Sequence, residues 1–326
     1  MNKNDRILVT GAAGFIGACF VESCGKRKLS VISVDELSCF DSRPEHRKID
    51  FGEKVDRRRL LEWLQREKPS LSHIVHLGAR TDTTDMNRAL LKEANLDYSQ
   101  ALWNYATERR IPFVYASSAA TYGDGSEGYD DDESLIPRLK PLNPYGESKQ
   151  QFDLWALAEE RKGQFPPAWS GFKFFNVYGF GERHKGKMAS VVLHAYDQIR
   201  EKGRVKLFKS HKTGIADGQQ KRDFIYVGDV VEALHFACQK PISRGLFNLG
   251  TGQARTFLDL VRAVFHEMGK PAQIDFIDTP VEIRERYQYF TQARMDRLRL
   301  EGLTAPFTSL ETGVSLYVKD LSASPR

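Results

Sequence analysis

Tyr145 and Lys149 are the residues whose types and spacing most directly indicate chemistry. They lie four positions apart near the start of a predicted helix, so their side chains project from the same face. A tyrosine with the ordinary pKa of about 10 is a poor base at neutral pH, but a nearby ammonium and an oxidised nicotinamide would both stabilise the phenolate. Tyr145 would then take a hydroxyl proton during hydride transfer, and Lys149 would bind the nicotinamide ribose. An ordinary amphipathic helix can carry a tyrosine and a lysine at the same spacing, so this pair alone does not establish a catalytic site.

A predicted strand, residues 113–117, ends next to Ser118. Open α/β sheets bind their ligands at the carboxyl ends of the strands, so this position faces a ligand. We therefore expect Ser118, or its neighbour Ser117, to hold the substrate oxygen through a hydrogen bond.

Gly11, Gly14 and Gly17 follow the first apolar run with the spacing G-x-x-G-x-x-G. Such a turn lets the backbone approach a pyrophosphate, and the helix N-terminus behind it offers free N–H groups. Asp35 ends the next predicted strand, where a carboxylate would meet the adenosine ribose of a dinucleotide and favour NAD. Cations in the following loop would instead pair with the 2′-phosphate of NADP, or simply be solvated; they are Arg43, Arg47 and Lys48.

Strands and helices alternate in the part of the chain that carries these residues. The predicted strands are residues 6–10, 31–34, 74–77 and 111–116, and the helical segments include 59–66 and 98–108. This alternation predicts an α/β fold, a doubly wound parallel sheet (Rossmann) with a smaller C-terminal α/β substrate lobe. We predict a dinucleotide-binding domain from residues 1–177 and 224–252, and a substrate-binding lobe from 178–223 and 253–326.

Composition excludes several other classes of protein. The 326 residues, 41% hydrophobic and 28% charged, are typical of a globular protein, and the apolar runs are too short for a membrane span. The polar start, residues 1–6, does not resemble a signal peptide, and the four cysteines form no CxxC pair, so we expect a cytoplasmic protein with reduced thiols. A net charge of +5 is too small to indicate nucleic-acid binding. The acidic residues 130–133 are expected to form a solvated loop rather than a metal site.

Longer motifs add a resemblance to a known family. They are residues 115–123 (YASSAATYG), 175–179 (FNVYG), 184–190 (HKGKMAS), 221–230 (KRDFIYVGDV) and 286–293 (RYQYFTQA). From Thr10 to about Val318, the chain resembles the ADP-L-glycero-D-manno-heptose 6-epimerases of lipopolysaccharide core synthesis, in the extended short-chain dehydrogenase/reductase superfamily. The HKGKMAS and RYQYFTQA motifs are the most specific.

The resemblance implies a bound nicotinamide dinucleotide, usually NADP, and inversion of C6 in ADP-D-glycero-D-manno-heptose. By matching positions, Tyr145 and Lys185 would be the two acid/base residues, with Ser118 at the reacting oxygen. Two such residues make physical sense, because a ketone that turns to receive hydride on its other face points its oxygen elsewhere. The resemblance also implies a homo-oligomer, often a pentamer.

The same matching assigns residues to the cofactor and the substrate. The cofactor set is Gly11, Gly14, Phe15, Ile16, Gly17, Asp35, Glu36, Leu77, Gly78, Ala79, Asn95, Tyr145, Lys149 and Val177. The substrate set is Ser118, Asn176, His194, Phe208, Arg222 and Tyr287. Lys187 is added to it as a departure from the family, because it stands where members have a small polar residue and its charge would add a phosphate contact. Asn95 is expected to brace the active-site strand, and Arg222 suits a pyrophosphate because its guanidinium is fork-shaped. Glu36 beside Asp35 is unfavourable next to a 2′-phosphate, so NAD stays open as an alternative.

Two other functions compete with this hypothesis. Another nucleotide-sugar epimerase or dehydratase of the superfamily is one, although a 4,6-dehydratase would carry an Asp-Glu pair where this chain has Ala119 and Ala120. A catalytically silent NAD(P)-binding regulator is the other. Such regulators commonly lose the tyrosine or the lysine of the pair, and this chain has both.

Overall fold

Seven strands form the main sheet of the computed structural model, which describes residues 6–240, 242, 244–284 and 287–323. In their order across the sheet, the strands are β3 (Glu53–Asp56), β2 (Val31–Asp35), β1 (Arg6–Thr10), β4 (Leu71–His76), β5 (Phe113–Ser118), β6 (Trp169–Phe174) and β10 (Gly245–Leu249). All neighbouring pairs are parallel. The strand order reverses between β1 and β4, which is where ligands bind in such sheets. The predicted doubly wound parallel sheet is confirmed.

Helices connect the strands. They are α1 (Phe15–Lys26), α2 (Leu37–Asp41), α3 (Leu60–Glu67), α4 (Arg88–Leu91), α5 (Tyr98–Glu108), α6 (Pro144–Arg161), α7 (Val191–Lys202), α8 (Val227–Gln239), α9 (Phe257–Glu267), α10 (Val281–Arg284), α11 (Asp296–Leu300) and α12 (Leu310–Ala323). A π-helical turn, Lys92–Asp97, precedes α5, and short 3-10 turns occupy Pro44–His46, Ala119–Tyr122, Glu133–Arg138 and Arg183–Met188.

Two smaller sheets complete the fold. One contains β11 (Ala254–Thr256), β9 (Lys221–Tyr226) and β7 (Asn176–Tyr178), and the other pairs β12 (Ile274–Ile277) with β8 (Val205–Phe208). A second buried apolar cluster joins these strands to α7, α9 and α12, separate from the large cluster around the main sheet. The residues 293–298 pack into the large cluster. The domain boundaries given above stay a prediction.

The strand that carries Ser118 begins at Phe113, as in the predicted strand 113–117, and not at the start of the apolar run 111–116. Pro112 has no N–H to donate to a ladder, although its carbonyl still accepts a hydrogen bond from Ile74 at 2.9 Å. Regular pairing of β5 therefore starts at Phe113, whose N–H donates to the carbonyl of Ala168 at 2.9 Å.

The acidic segment 130–133 is not the solvated loop that its composition predicts. Asp131 is buried and accepts a hydrogen bond from the N–H of Asn248 at 2.8 Å. Arg294 pairs with Asp130 at 2.5 Å, and Arg297 lies 3.3 Å from Glu133. The expectation was wrong because the residues that neutralise these carboxylates lie more than a hundred positions away in the sequence.

Within the described ranges, no helix is long and apolar enough to cross a bilayer, and no cluster of His, Cys, Asp or Glu has the geometry of a metal site. All four cysteines are free thiols. Residues 1–5, at the polar start of the chain, and Arg286, in the RYQYFTQA motif, lie outside the described residues.

Candidate active site

A cavity of about 610 Å³ opens at the carboxyl edge of the main sheet. Its walls come from the ends of β5 and β6, the start of α6, the loop after β4, and the segment that follows α10. Five residues that the sequence assigned to the site line it, namely Ser118, Tyr145, Asn176, Arg222 and Tyr287. The fold therefore brings together a hydroxyl pair and a guanidinium from distant parts of the chain.

Tyr145 lies in the first turn of α6, close to Ser118. The side chain of Asn143 caps this helix by accepting a hydrogen bond from the N–H of Gly146 at 2.8 Å. A Cβ at Gly146 would lie 2.8 Å from the carbonyl oxygen of Ala120, so glycine allows the helix to approach the turn after Ser118. Burial raises the pKa of Tyr145, and a hydrogen bond with Ser118 opposes that rise. The phenol is thus neutral and aimed at the residue expected to hold the reacting oxygen.

The sequence left open which of two serines faces the ligand. Ser117 is buried, and its hydroxyl donates to the carboxylate of Asp153 at 2.7 Å. Successive side chains of a strand point to opposite faces, so Ser118 points into the cavity. Of the two serines, only Ser118 is in a position to bind substrate.

Lys149 lies one helical turn beyond Tyr145 and is buried. Its ammonium donates to the carbonyl of Ala116 at 2.8 Å, which holds it beside the end of β5. Burial lowers the pKa of Lys149 to about 8, and the negative charge of Asp153 opposes this effect. The side chain therefore carries its charge at neutral pH, where it supplies a positive field next to Tyr145.

Asn95 ties the loop after β4 to α6. Its side-chain oxygen accepts from the N–H of Arg80 at 2.7 Å, and its amide donates to the carbonyl of Arg80 and the hydroxyl of Ser148, both at 3.0 Å. Ser148 in turn donates to the carbonyl of Tyr145 at 2.7 Å. Because the buried amide is engaged by protein groups, its geometry suits a brace rather than a direct cofactor contact.

The turn between β1 and α1 has the shape that a dinucleotide pyrophosphate needs. Gly11 has a φ of +67°, and a Cβ there would lie 2.6 Å from the backbone nitrogen of Gly78. A Cβ at Gly17 would overlap the carbonyl oxygen of Gly11. No side chain caps α1 at Gly14, so the N–H groups of its first turn are available to an anion. These features fit a dinucleotide cofactor.

The remaining residues predicted to contact the cofactor border this turn. Asp35 ends β2, and its carboxylate accepts a hydrogen bond from the N–H of Ala13 within the glycine turn at 3.0 Å. The structure places the others around the same edge of the sheet: Phe15 and Ile16 in the first turn of α1, Leu77, Gly78 and Ala79 directly after β4, and Val177 in β7.

The cations that bear on the choice between NAD and NADP are not equivalent. Arg43 is half-buried and donates to the carbonyl of Ala13, beside Asp35, whereas Arg47 and Lys48 are exposed. Glu36 is engaged by Arg57, whose guanidinium lies 2.7 Å from its carboxylate. The second acid is thus neutralised by a partner that the sequence did not indicate.

Arg222 and its aromatic neighbours form the far wall of the cavity. The guanidinium is buried, lies 5.6 Å and 5.5 Å from the ring centres of Phe257 and Tyr287, and donates to the carbonyl of Lys221 at 2.9 Å. Phe208 packs edge-on against Tyr287, with the two ring centres 6.4 Å apart. Burial lowers the pKa of Arg222, but a guanidinium keeps its charge, so the wall offers a rigid cation to an anionic ligand.

Lys185 lies next to the cofactor turn and outside the cavity lining. Its ammonium is 5.4 Å from the ring centre of Phe15 and 3.9 Å from the carboxylate of Glu182. Glu182 is fully buried and fixes the loop by accepting hydrogen bonds from the N–H and hydroxyl of Ser190 at 2.8 Å and 2.5 Å. Burial lowers the pKa of Lys185, and Glu182 opposes this effect.

Three residues predicted to bind substrate do not line the cavity. Lys187 is exposed on the loop of Lys185, His194 is half-buried on α7, and Phe208 reaches the site only through Tyr287. Met188 connects that loop to the cavity wall, since its sulfur lies 4.0 Å from the hydroxyl of Thr83.

A family model described as "NAD dependent epimerase/dehydratase family" matches residues 7–250, which include the glycine turn, Ser118, Tyr145 and Lys149. The chain belongs to this family. The family is NAD dependent by its description, so the cofactor is a nicotinamide dinucleotide.

Relatives within the family match the chain along nearly its whole length. A protein of Fusobacterium nucleatum is 42% identical over 97% of this chain and 98% of its own, and one of Nitratidesulfovibrio vulgaris strain DP4 is 44% identical with the same coverage. Both are named ADP-L-glycero-D-manno-heptose-6-epimerase. The crystal structure of the Helicobacter pylori protein of that name superposes with a TM-score of 0.81 at 28% identity, covering 99% of this chain and 97% of the other. The resemblance seen in the motifs is confirmed.

Several residues that line the cavity were not assigned a role from the sequence. Thr83, Thr84, Met86, Gln288 and Thr291 line the cavity, and Gln288 also donates to the carbonyl of Gly123 in the turn after Ser118. The position of Gln288 and Thr291 in the RYQYFTQA motif was the available signal. Thr83, Thr84 and Met86 lie in a loop with no chemical pattern, so only the fold reveals them.

Proposed function

We propose that this protein is an isomerase that inverts C6 of the heptose in ADP-D-glycero-D-manno-heptose and so produces ADP-L-glycero-D-manno-heptose. The observation that carries the proposal is similarity at 38–44% identity over at least 96% of the chain to relatives with that name, on a fold that brings Ser118 and Tyr145 together. Ala119 and Ala120 stand in the cavity wall at the positions where a 4,6-dehydratase would carry an Asp-Glu pair, which argues against that elimination.

Tyr145, Ser118 and Lys185 would divide the proton chemistry among them. Ser118 would hold the C6 oxygen while Tyr145 takes its proton, with the ammonium of Lys149 stabilising the phenolate. A bound nicotinamide would supply reversible acceptance of the hydride from C6. After the carbonyl has turned, its oxygen faces a different part of the site, where Lys185 would donate the proton as hydride returns to the opposite face. This role requires Lys185 to swing from the Phe15 ring toward the sugar.

Arg222 would bind the pyrophosphate of the substrate. A planar guanidinium offers paired donors to phosphate oxygens, and its fixed position between two aromatic rings limits the entropy lost on binding. Asn176 and Tyr287 would contact the sugar nucleotide from the two sides of the cavity. Lys187 would reach it only after the loop 183–190 has moved inward.

We infer NADP as the cofactor, with NAD as the alternative that Asp35 keeps open. Arg57 neutralises Glu36, and Arg43 lies at the glycine turn within reach of a 2′-phosphate on the adjacent ribose. The test is the affinity of Arg43→Met for each dinucleotide, measured by quenching of protein fluorescence. Weaker binding of NADP with unchanged binding of NAD supports the inference, and equal effects on both refute it.

Incubation of the purified protein with ADP-D-glycero-D-manno-heptose tests the function, with the configuration at C6 followed by NMR. The 6-epimer should accumulate to an equilibrium mixture, whereas Tyr145→Phe and Lys185→Met should each lose turnover and still bind the dinucleotide. An unchanged heptose in the presence of bound cofactor would exclude this substrate.

The cellular setting is part of the same proposal. Four free thiols are consistent with a reducing compartment, which supports a cytoplasmic enzyme. The family resemblance supports a homo-oligomer, and light scattering of the purified protein would give its mass.

A further inference from the structure

Asp153 and Lys173 form a fully buried ion pair beneath the candidate active site. The ammonium of Lys173, in β6, lies 2.7 Å from the carboxylate of Asp153, in α6, and neither side chain has any exposed surface. Burying two charges is costly and adds little net stability compared with apolar residues of the same volume. A pair in this position is therefore a candidate for a role other than stability.

Hydrogen bonds connect this pair to both sides of Ser118. On one side, the hydroxyl of Ser117 donates to Asp153 at 2.7 Å. On the other, Lys173 donates to the hydroxyl of Thr121 at 2.9 Å, and Thr121 donates to the carbonyl of Ser118 at 2.8 Å. The backbone of Ser118 is thus held from the residue before it and from the turn after it.

The same pair lies close to Tyr145 and Lys149 along α6. Asp153 follows Lys149 by one helical turn and Tyr145 by two, on the buried face of the helix. The ionisable groups that face Asp153 from the surrounding elements are Tyr115 in β5, Tyr122 in the turn after it, Tyr145 and Lys149 in α6, and Lys173 in β6. Lys173 also lies 5.3 Å from the ring centre of Tyr122. The pair is therefore linked by hydrogen bonds to the backbone around Ser118 and lies on the helix face that carries Tyr145 and Lys149.

We propose that Asp153 and Lys173 are positioning residues for the reaction, which hold Ser118 against Tyr145 and keep the charge balance that leaves Lys149 as an ammonium. The role of this pair in catalysis rests on the proposed function, whereas its effect on Lys149 does not. Asp153 raises the pKa of Lys149 against the effect of burial. Lys173, 2.7 Å from the carboxylate of Asp153, is the cation that pairs with it.

The first test measures the protonation of Lys149 on the unloaded protein. The rate of its acetylation by acetic anhydride is followed against pH, with the modified peptide quantified by mass spectrometry. In Asp153→Asn the negative charge that raises the pKa of Lys149 is lost and the cation of Lys173 is left unpaired, so the titration of Lys149 should move to lower pH, by about one unit. Adding Lys173→Met to that variant removes the unpaired cation and should move the titration back toward its original position.

Tyr115→Phe is the matched control for the charge. It removes the neutral hydroxyl that donates a 3.0 Å hydrogen bond to the same carboxylate, without changing any charge. The titration of Lys149 should therefore stay in place. A titration that does not move in Asp153→Asn, or that the second substitution does not restore, overturns the charge-setting role. This result does not depend on which substrate the enzyme uses.

The second test addresses the positioning of Ser118. It does not require Asp153→Asn to fold, so it tests the role of the pair even if that variant is unstable. Thr121→Val removes the hydroxyl between Lys173 and Ser118 at constant volume, and should lower kcat about tenfold to a hundredfold with little change in KM. Thr121→Ser keeps the hydroxyl and should restore kcat. Equal kcat values for the two variants would overturn the positioning role, while inactivity of the wild type toward the heptose would count against the proposed function instead.

Discussion

At the scale of single residues, Tyr145 and Lys149 are tuned in opposite directions by the same burial. Burial raises the pKa of Tyr145 and lowers that of Lys149 to about 8, because each charged form loses its hydration. The unloaded site therefore holds a neutral phenol beside an ammonium. A positive charge brought in by the oxidised cofactor would lower the pKa of Tyr145, so proton transfer is coupled to cofactor binding.

Ser118 makes this coupling testable. Its hydrogen bond lowers the pKa of Tyr145, so Ser118→Ala should raise that pKa. Activity needs the phenolate, so the acidic limb of the kcat/KM profile should move to higher pH, and kcat should fall about a hundredfold. Ser118→Thr keeps the hydroxyl and serves as the control. An acidic limb that stays in place in Ser118→Ala would mean that Ser118 does not act on Tyr145.

Arg222 is expected to act through binding rather than chemistry. Arg222→Lys keeps the charge but loses the planar fork, so KM for the nucleotide sugar should rise about tenfold or more while kcat changes little. Initial rates over a range of substrate concentrations separate the two constants. A fall in kcat with an unchanged KM would contradict the binding role and show that Arg222 acts in the chemical step.

Sequence patterns predict these residues well where chemistry dictates both type and spacing. Tyr145, Lys149, Ser118 and Arg222 belong to motifs and meet at one cavity or beside it. The sequence did not indicate Asp153 and Lys173, because neither residue belongs to a recognisable motif. Their pairing depends on how α6 packs against β6.

At the scale of elements, the junction of β1 and α1 is the most constrained backbone of the site. A Cβ at Gly17 would overlap the carbonyl of Gly11, so Gly17→Ala should abolish binding of the dinucleotide or prevent folding of the turn. Gly25→Ala is the matched control in the same helix, since nothing lies within 4 Å of its Cβ position. The control should bind the cofactor normally and gain about 0.5–1 kcal/mol in the free energy of unfolding.

Fluorescence titration with NAD(P)H and urea unfolding measure the two effects. Normal cofactor binding by Gly17→Ala would show that the turn does not form the cradle described above. The spacing of the glycines predicted this turn, but the contact of Gly11 with Gly78 required the sheet.

At the scale of the whole molecule, buried histidines make stability depend on pH. His235 is buried on α8, its ring lies 2.9 Å from the hydroxyl of Ser23, and burial lowers its pKa to about 4. The folded state keeps this ring neutral, whereas the unfolded chain binds a proton below about pH 6.5. Its contribution to stability is therefore present above pH 6.5 and lost as the pH falls toward 4, by up to about 1.4 kcal/mol per pH unit.

His235→Asn should reduce the slope of unfolding free energy against pH in this window. Urea unfolding at several pH values gives that slope, and His211→Asn, at an exposed position, is the control. Identical slopes for the wild type and His235→Asn would show that this histidine is not the source of the dependence.

The main sheet followed from alternating strands and helices, whereas the strand pairing of the two smaller sheets did not. The strands of these sheets, β7, β8, β9, β11 and β12, are three to six residues long and pair with partners far away in sequence. Short strands carry little periodic signal, so their pairing is decided by packing of the second apolar cluster.

The central claim is that C6 of an ADP-heptose is inverted by removal and return of one hydride, with Tyr145 and Lys185 handling the proton. The most direct test uses ADP-D-glycero-D-manno-heptose deuterated at C6, followed by NMR in ordinary water. The account predicts the 6-epimer with deuterium retained at C6. Loss of the label to water would indicate proton abstraction at carbon, and an unchanged configuration would exclude this substrate; either result would contradict the account.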